Sequence, residues 1–470
     1  VSTSTMLTDA GLAELEQFLG PEGMLTAEAD RWTYGYDNSK RQTLPGAVAL
    51  PVRQDQVAEI LRLCHRDRVP VTVRGRGTGT AGAAVPAEGG LALSTERLDR
   101  IVDVDGANRV AVVETGVINQ ALQDAAGRAG FFWPPDPTSA AYCTIGGNLG
   151  CNAAGPRAVK YGTPRENTLG LRAVTGDGTA LRTGCYTTKG VVGFDLTRLL
   201  IGSEGALGII TEATLRLTPL PEAVATLRAS YRDMRAAAAA VSAIMAQPVV
   251  PRVLEFMDPS ALAIVRDYAS ADLPRDAGAL LLFEADGPAE QLEYATRALA
   301  QAATNEGLVE CRAAEDDDER AALWACRKAL SPSLRRIAPG KINEDVVVPV
   351  SRMADLIGRL SELEREHDVR IVSFGHAGNG NIHVNLLGDL DDAAVAGRMH
   401  RCLADVFQTV LTLGGTLSGE HGIGYEKKEY VGLEIEPATL AMMRRIKDQF
   451  DPAGILNPGK LFPESAAPGS

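Results

Sequence analysis

The sequence predicts an α+β protein built from two domains, and three observations carry this. At 470 residues the chain is longer than one ordinary core organises. Its first half alternates short β-branched runs with helical ones around two glycine-dense belts. Near residue 221 the pattern changes to alanine-rich helical segments alternating with apolar strands, as in an antiparallel sheet covered by helices.

The elements follow in order. After an N-terminal helical stretch, GAVALPV (46–52) reads as a strand, QVAEILRLCHRDR (56–68) as an amphipathic helix and VPVTVRG (69–75) as a second strand. One belt runs from Gly75 to Gly90. A second, PPDPTSAAYCTIGGNLGCNAAGP (134–156), is too rich in Pro, Gly and Asn for regular structure, and such belts inside a domain are usually binding loops. Strand-like LGLRAVTGDG and GIITEATLRLTPLP come next, and Pro219 and Pro221 mark a boundary. Beyond it ALLLFEAD (279–286) and RIVSFGH (370–376) read as strands. The tail holds the helix LAMMRRIKDQF, then DPAGILNPGKLF, then SAAPGS, expected to be disordered. The expected domains are 1–221, 222–425, and a segment 426–470 returning to the first.

Composition excludes several function classes. About 45% apolar and 23% charged residues describe a globular protein, and a formal charge of −13 disfavours nucleic acid or an anionic membrane as main partner. Seven cysteines (64, 143, 151, 185, 311, 326 and 402) form no CxxC pair, which fits a reduced compartment and removes an obvious iron–sulfur centre. The stretch VSTSTMLTDAGLAELEQF lacks the basic and apolar regions of a signal peptide, and AAAAAVSAIMAQPVV is too short and Pro-broken to span a bilayer. The expected location is the cytoplasm, with peripheral attachment at the inner membrane face left open.

Gly77-x-Gly79-x-x-Gly82 directly follows a strand and formally matches a dinucleotide fingerprint, which requires a helix next. AAVPAEGG follows instead, so an NAD site is disfavoured. A nest of backbone N–H groups can still cradle a pyrophosphate without a helix, and the competing reading is a glycine-rich surface turn.

VTVRGRGTGTAG, PPDPTSAAYCTIGGNLGCNAAGPRAVKYG and LIGSEGALGIITEATLRL, taken in series, resemble the FAD-linked oxidases of the vanillyl-alcohol oxidase and p-cresol methylhydroxylase type. The likeness runs over nearly the whole chain, and its C-terminal half is most similar to the D-2-hydroxyacid dehydrogenase branch. The resemblance implies a two-lobed FAD domain plus an antiparallel-sheet substrate (cap) domain with helices on one face. It implies that Arg74, Gly75, Arg76, Gly77, Thr78, Gly79 and Thr80 wrap the pyrophosphate. Thr144, Gly146, Gly147 and Asn148, with Pro135, Asp136 and Asn152 of the same belt, would line the flavin portion. Glu204, Gly205, Ile209 and Ile210 would hold the adenine side, and Asn457 would return to the flavin. Residues 74–90 contain no histidine, so non-covalent FAD is expected, with Cys143 and Cys151 as loop packing residues.

Two histidine motifs remain. In FGHAGNGNIHVN (374–385), Asn379-Gly380 read as a two-residue hairpin turn places His376 opposite His383, their Cβ atoms ~4.5–5.5 Å apart. Asn385 shares that face. Such a pair alone is compatible with a structural role. In GGTLSGEHGIG, Glu420 adds a carboxylate; two histidines and one carboxylate with open positions form the pattern of a catalytic divalent metal site, the alternative being a solvated loop pair. His421 is then free to act as a base. The resemblance likewise implies His376, His383 and Glu420 as metal ligands, zinc first with manganese or iron as alternatives, and His421 as general base. It also shows a departure, because Asn379 stands where the family usually has Asp.

For an anionic substrate, Arg327 and Ser331 lie four residues apart on one helix face, and Lys341 precedes a strand. A guanidinium grips a carboxylate bidentately, and the resemblance assigns Arg327, Ser331 and Lys341, with Asn385, to substrate. Glu344 and Asp345 read as structural partners. The implied reaction is oxidation of a D-2-hydroxy acid to the 2-oxo acid, with D-lactate first and D-2-hydroxyglutarate second. The acceptor would be a quinone, a cytochrome or an electron-transferring flavoprotein. A glycolate oxidase-type flavin subunit and a same-fold FAD enzyme without net oxidation are the alternatives, and a homodimer is left open.

Overall fold

The structure, a computed structural model, describes residues 7–268 and 274–464. The SAAPGS tail and the first six residues of the stretch read as lacking a signal sequence lie outside the described residues. Two compact units emerge: residues 1–154, 162–220 and 420–470 form one, and 155–161 with 221–419 form the other. Apart from residue 221, which goes with the second unit, this division differs from the expected boundaries in two places. The segment 155–161 goes with the second unit because Lys160 forms an ion pair with Asp286, and the Tyr161 hydroxyl donates to the same carboxylate at 2.6 Å. The return to the first unit begins at Glu420 rather than at residue 426.

Among the described residues the first unit has two large sheets and a two-stranded one that pairs Phe131–Phe132 with Thr218–Pro219. Its four-stranded sheet runs in the order Met24–Leu25, Ala47–Ala49, Leu91–Ser94, Val71–Arg74, with the last three strands parallel. The helix Gln54–Asp67 makes the crossover and buries Val57, Ile60, Leu61 and Cys64 against it. Its five-stranded sheet is antiparallel, in the order Ile101–Asp105, Val110–Glu114, Ile209–Arg216, Thr168–Val174, Ala180–Gly184. Each of the two large sheets has its own apolar cluster, one around Leu61 and Leu93, the other around Trp133, Leu149 and Leu171. The C-terminal Ile455 and Leu456 complete the first cluster, and the Asn457 N–H donates to the Val71 carbonyl at 2.8 Å.

The second unit is one seven-stranded antiparallel sheet, in the order Leu308–Ala313, Ala223–Tyr231, Ala279–Gly287, Val253–Met257, Arg370–His376, Asn381–Gly388, Gly340–Val347. Its central strands alternate: Glu255, Glu284, His376, His383 and Asn385 share one face, and the intervening apolar residues share the other. The helices Met234–Ala246, Ala289–Ala302, Met353–His367 and Ala393–Thr412 pack on this sheet. The helices Pro259–Tyr268 and Asp317–Ser333 pack on the His376 face, where Ala261, Leu262 and Leu330 meet Met257, Val372 and Phe374. Among the described residues no helix is long and apolar enough to cross a membrane.

Candidate active site

The hairpin is built differently from the two-residue turn expected. Residues 377–379 form a short 3-10 turn closed by Gly380 in the left-handed region, so His376 pairs with Asn381 and His383 pairs with Phe374. The reason is local. A Cβ on Gly380 would lie 1.9 Å from the Val348 carbonyl oxygen, and Val348 N–H donates to Gly380 O at 3.0 Å, so Gly380 is pinned to the neighbouring chain. The register is offset by two residues from the expected one. Because strand periodicity is two, the side chains keep their face. The rings of His376 and His383 stand edge to face, with centroids 5.2 Å apart.

Glu420 is delivered by the chain immediately before it. Gly419 N–H donates to the Asp345 carboxylate at 2.8 Å, and Ser418 Oγ to the same carboxylate at 3.1 Å. Asp345 pairs with His383 across the sheet, so Gly419 is held beside the histidine strand. There is no room for a side chain at 419, where a Cβ would sit 2.5 Å from Asn381 Nδ2. The result is a cluster in which one ligand atom each from His376, His383 and Glu420 lies within 4.8 Å of the others. The two histidines are buried and Glu420 half-buried. This donor set fits a divalent ion: two imidazoles and one carboxylate, three donors that leave the remaining coordination positions open. Asn379 is exposed, and its side chain hydrogen-bonds to nothing among the described residues, so its exchange for Asp touches the ligands through no direct bond.

Around the cluster, Asn385 is fully buried; its Nδ2 donates to the Val372 and His383 carbonyls at 3.2 Å, while its Oδ1 has no partner among the described residues. The helix Asp317–Ser333 starts at an Asp316 cap on the Glu319 N–H. It sends Trp324 Nε1 to Glu284 at 2.7 Å and Arg327 to Glu255. Ser331, one turn on from Arg327, accepts from Lys341 Nζ at 3.1 Å. The residue that sequence reasoning missed is Glu255. Its carboxylate receives Nε and Nη2 of Arg327, both at 2.7 Å, and meets His376 Nδ1 at 2.5 Å. Burial raises this carboxyl, but the facing His376 and Arg327 outweigh it and hold it below its ordinary range. The only signal was a lone acid inside the apolar run VLEFM.

In the first unit, the segments expected around FAD converge. Gly75 approaches Thr144 so closely that a Cβ would lie 2.2 Å from Thr144 Oγ1, which is already accepting the Gly147 N–H. A Cβ on Gly205 would lie 2.2 Å from Val73 Cγ1, and Asn457 Nδ2 donates to the Glu204 carbonyl. Among the described residues, no protein acceptor takes the backbone N–H groups of residues 75–80. Such a row of unspent amides is suited to a pyrophosphate. Arg74 itself turns inward, its Nη1 donating to the Tyr36 carbonyl at 3.0 Å.

Other expected cofactor contacts are committed within the protein. Asn148 Oδ1 accepts from Asn119, and Asn152 Oδ1 accepts from Thr163 and the Arg165 N–H. Pro135 O accepts from Asn119, Asp136 N–H donates to Ala154 O, and Ile209 and Ile210 are core residues. Arg76 is exposed. The Glu204 carboxylate accepts the N–H groups of Ile423 and Gly424 at 2.6 and 2.8 Å, thereby fixing the loop that follows His421. Burial pushes this carboxyl up to about 7 and pulls the nearby Lys460 ammonium down to about 7. The Gly75→Ala variant should therefore be isolated with well under one FAD per chain, read from the flavin-to-protein absorbance ratio. Full occupancy would remove the close approach at Thr144 from the cofactor cradle.

Comparison with known proteins agrees with this division of labour. Residues 45–184 match the FAD binding domain family, and residues 220–461 match the FAD linked oxidases, C-terminal domain. The chain is 38% identical to the glycolate oxidase subunit GlcD of Bacillus subtilis (strain 168) over 98% of both chains. It is 33% identical to a D-2-hydroxyglutarate dehydrogenase of Xanthomonas citri pv. viticola, covering 98% of this chain and 99% of that one. It is 33% identical to a D-lactate dehydrogenase of Anaerostipes hadrus over 89% of each. Among solved structures, p-cresol methylhydroxylase with substrate bound superposes with a TM-score of 0.78 at 16% identity, covering 98% of both chains. The chain belongs to the FAD-linked oxidases and is an FAD-linked oxidoreductase of the branch containing the glycolate, D-lactate and D-2-hydroxyglutarate enzymes.

Proposed function

We propose that the protein is a metal-dependent dehydrogenase that oxidises a D-2-hydroxy acid to the 2-oxo acid, with D-lactate the first substrate to test and D-2-hydroxyglutarate the second. The observation that carries this reading is the convergence of His376, His383 and Glu420, with His421 adjacent in the chain. FAD, held without a covalent link by the 74–80 loop, would supply the two-electron acceptor when bound. A divalent ion held by His376, His383 and Glu420, zinc first, would supply Lewis-acid polarisation of the substrate oxygens.

The chain's own residues do the rest. Arg327 presents its Nη1–Nη2 edge to the substrate carboxylate, since its Nε–Nη2 edge is occupied by Glu255. Asn385 lines the substrate side of the ligand pair, on the sheet face it shares with His376 and His383. His421 takes the proton of the hydroxyl group as general base. Lys341, already bonded to Ser331, can meet a distal carboxylate, which would extend the range to 2-hydroxyglutarate. Electrons would pass on to a quinone, a cytochrome or an electron-transferring flavoprotein. The likeness to the Bacillus subtilis protein supports a second reading, in which glycolate is the acid and the chain works as the flavin subunit of a complex. An anaerobic titration of the flavin with glycolate, D-lactate, D-malate and D-2-hydroxyglutarate separates the two. Bleaching by glycolate alone would displace the D-acid reading.

A further inference from the structure

We propose that Glu255 is a positioning residue that serves the metal ligand His376 and the substrate residue Arg327 with a single carboxylate. The inference rests on the reading of His376 as a metal ligand given above. Val253–Met257 is buried along its whole length, and a glutamate at its centre has no water to solvate it. Its side chain is 1% exposed. An ionised carboxylate only accepts hydrogen bonds, so the ring nitrogen it meets, His376 Nδ1 at 2.5 Å, must carry the proton. A neutral imidazole has one N–H, and this arrangement leaves the Nε2 lone pair as the ligand. The other oxygen of Glu255 holds Arg327 by its Nε–Nη2 edge, and the guanidinium lies over Phe374 with Cζ 4.8 Å from the ring centroid. The arginine is thereby fixed along one edge and on one face, and the Nη1–Nη2 edge remains for a carboxylate.

The chemistry of the substitution sharpens this. In Glu255→Gln, the amide must turn its oxygen to Arg327, which can only donate, and so its NH₂ faces His376. Nδ1 must then accept, the proton moves to Nε2, and Nε2 can no longer ligate. Glu255→Asp keeps an acceptor for both partners with a shorter reach. A carboxylate that merely neutralised Arg327 would cost stability when changed, with no effect on the tautomer.

The test strips the FAD-loaded enzyme of metal and titrates Zn²⁺ against a competing chelator. Glu255→Gln should bind Zn²⁺ about 10–100-fold more weakly than the wild type, the usual effect of removing a residue that orients a ligating histidine. Glu255→Asp should lie nearer the wild type, with FAD content unchanged in both. Equal Zn²⁺ affinity in wild type and Glu255→Gln would overturn the proposal. Should Glu255→Gln not fold, the ¹⁵N imidazole spectrum of the metal-free wild type, assigned with His376→Asn, decides: the Nδ1–H tautomer is expected, and the Nε2–H tautomer overturns it. A wild type that takes up no Zn²⁺ sinks the metal reading above, and the tautomer spectrum still decides the role of Glu255.

Discussion

Replacing His421 by alanine should leave FAD bound and slow substrate-driven bleaching of the flavin by about 10²–10⁴-fold, the range for loss of a general base. His376 has one nitrogen committed to Glu255, and His376 and His383 are both proposed metal ligands, so on this reading neither is available to accept a proton from substrate. His421 follows Glu420 directly, and the loop after it is fixed by the Glu204 carboxylate on the Ile423 and Gly424 amides. Removing the ring leaves that loop anchored, because the anchors are backbone groups. Anaerobic stopped-flow at saturating acid reads the chemical step. A His421→Ala enzyme that bleaches at the wild-type rate would end the assignment.

A second large effect is expected from His383→Ala. It removes one of the three proposed ligands and should bring metal content, measured by elemental analysis after desalting, well below one per chain. Lewis-acid polarisation is worth several kcal/mol, and at 1.36 kcal/mol per tenfold the rate should fall by about 10²–10³-fold. FAD occupancy should not change, because the cofactor cradle lies within the other unit and its own apolar clusters. A variant that keeps full metal and full rate would remove His383 from the site.

Much of this arrangement was legible in the sequence where local periodicity decides it. The shared face of His376, His383 and Asn385 followed from strand alternation and survived a turn of different length, because the offset was an even number of residues. Arg327 and Ser331 share a face because they are one helical turn apart. What local rules miss is long-range partnership. Glu255 lies 121 residues from His376, and no spacing rule joins them. Glu204 was expected to help hold the adenine side, and nothing local announces that its carboxylate reaches amides 219 and 220 residues further along the chain. The segment 155–161 runs on from the second glycine belt, and its allegiance to the second unit depends on Asp286, more than a hundred residues away. Loop glycines tell a similar story. Gly75 announced a turn, but only the structure shows that Thr144 is what it must make room for.

The central claim is that a 2-hydroxy acid reduces the flavin only when His376, His383 and Glu420 hold a divalent ion. Anaerobic titration of the FAD-loaded enzyme with D-lactate, and in parallel with glycolate, D-malate and D-2-hydroxyglutarate, should bleach the flavin with at least one acid. Bleaching should disappear after chelation to verified metal-free protein and return on adding zinc, manganese or iron. Undiminished bleaching by the same acid in metal-free enzyme would contradict the claim, as would a fully metallated enzyme that none of the four acids reduces.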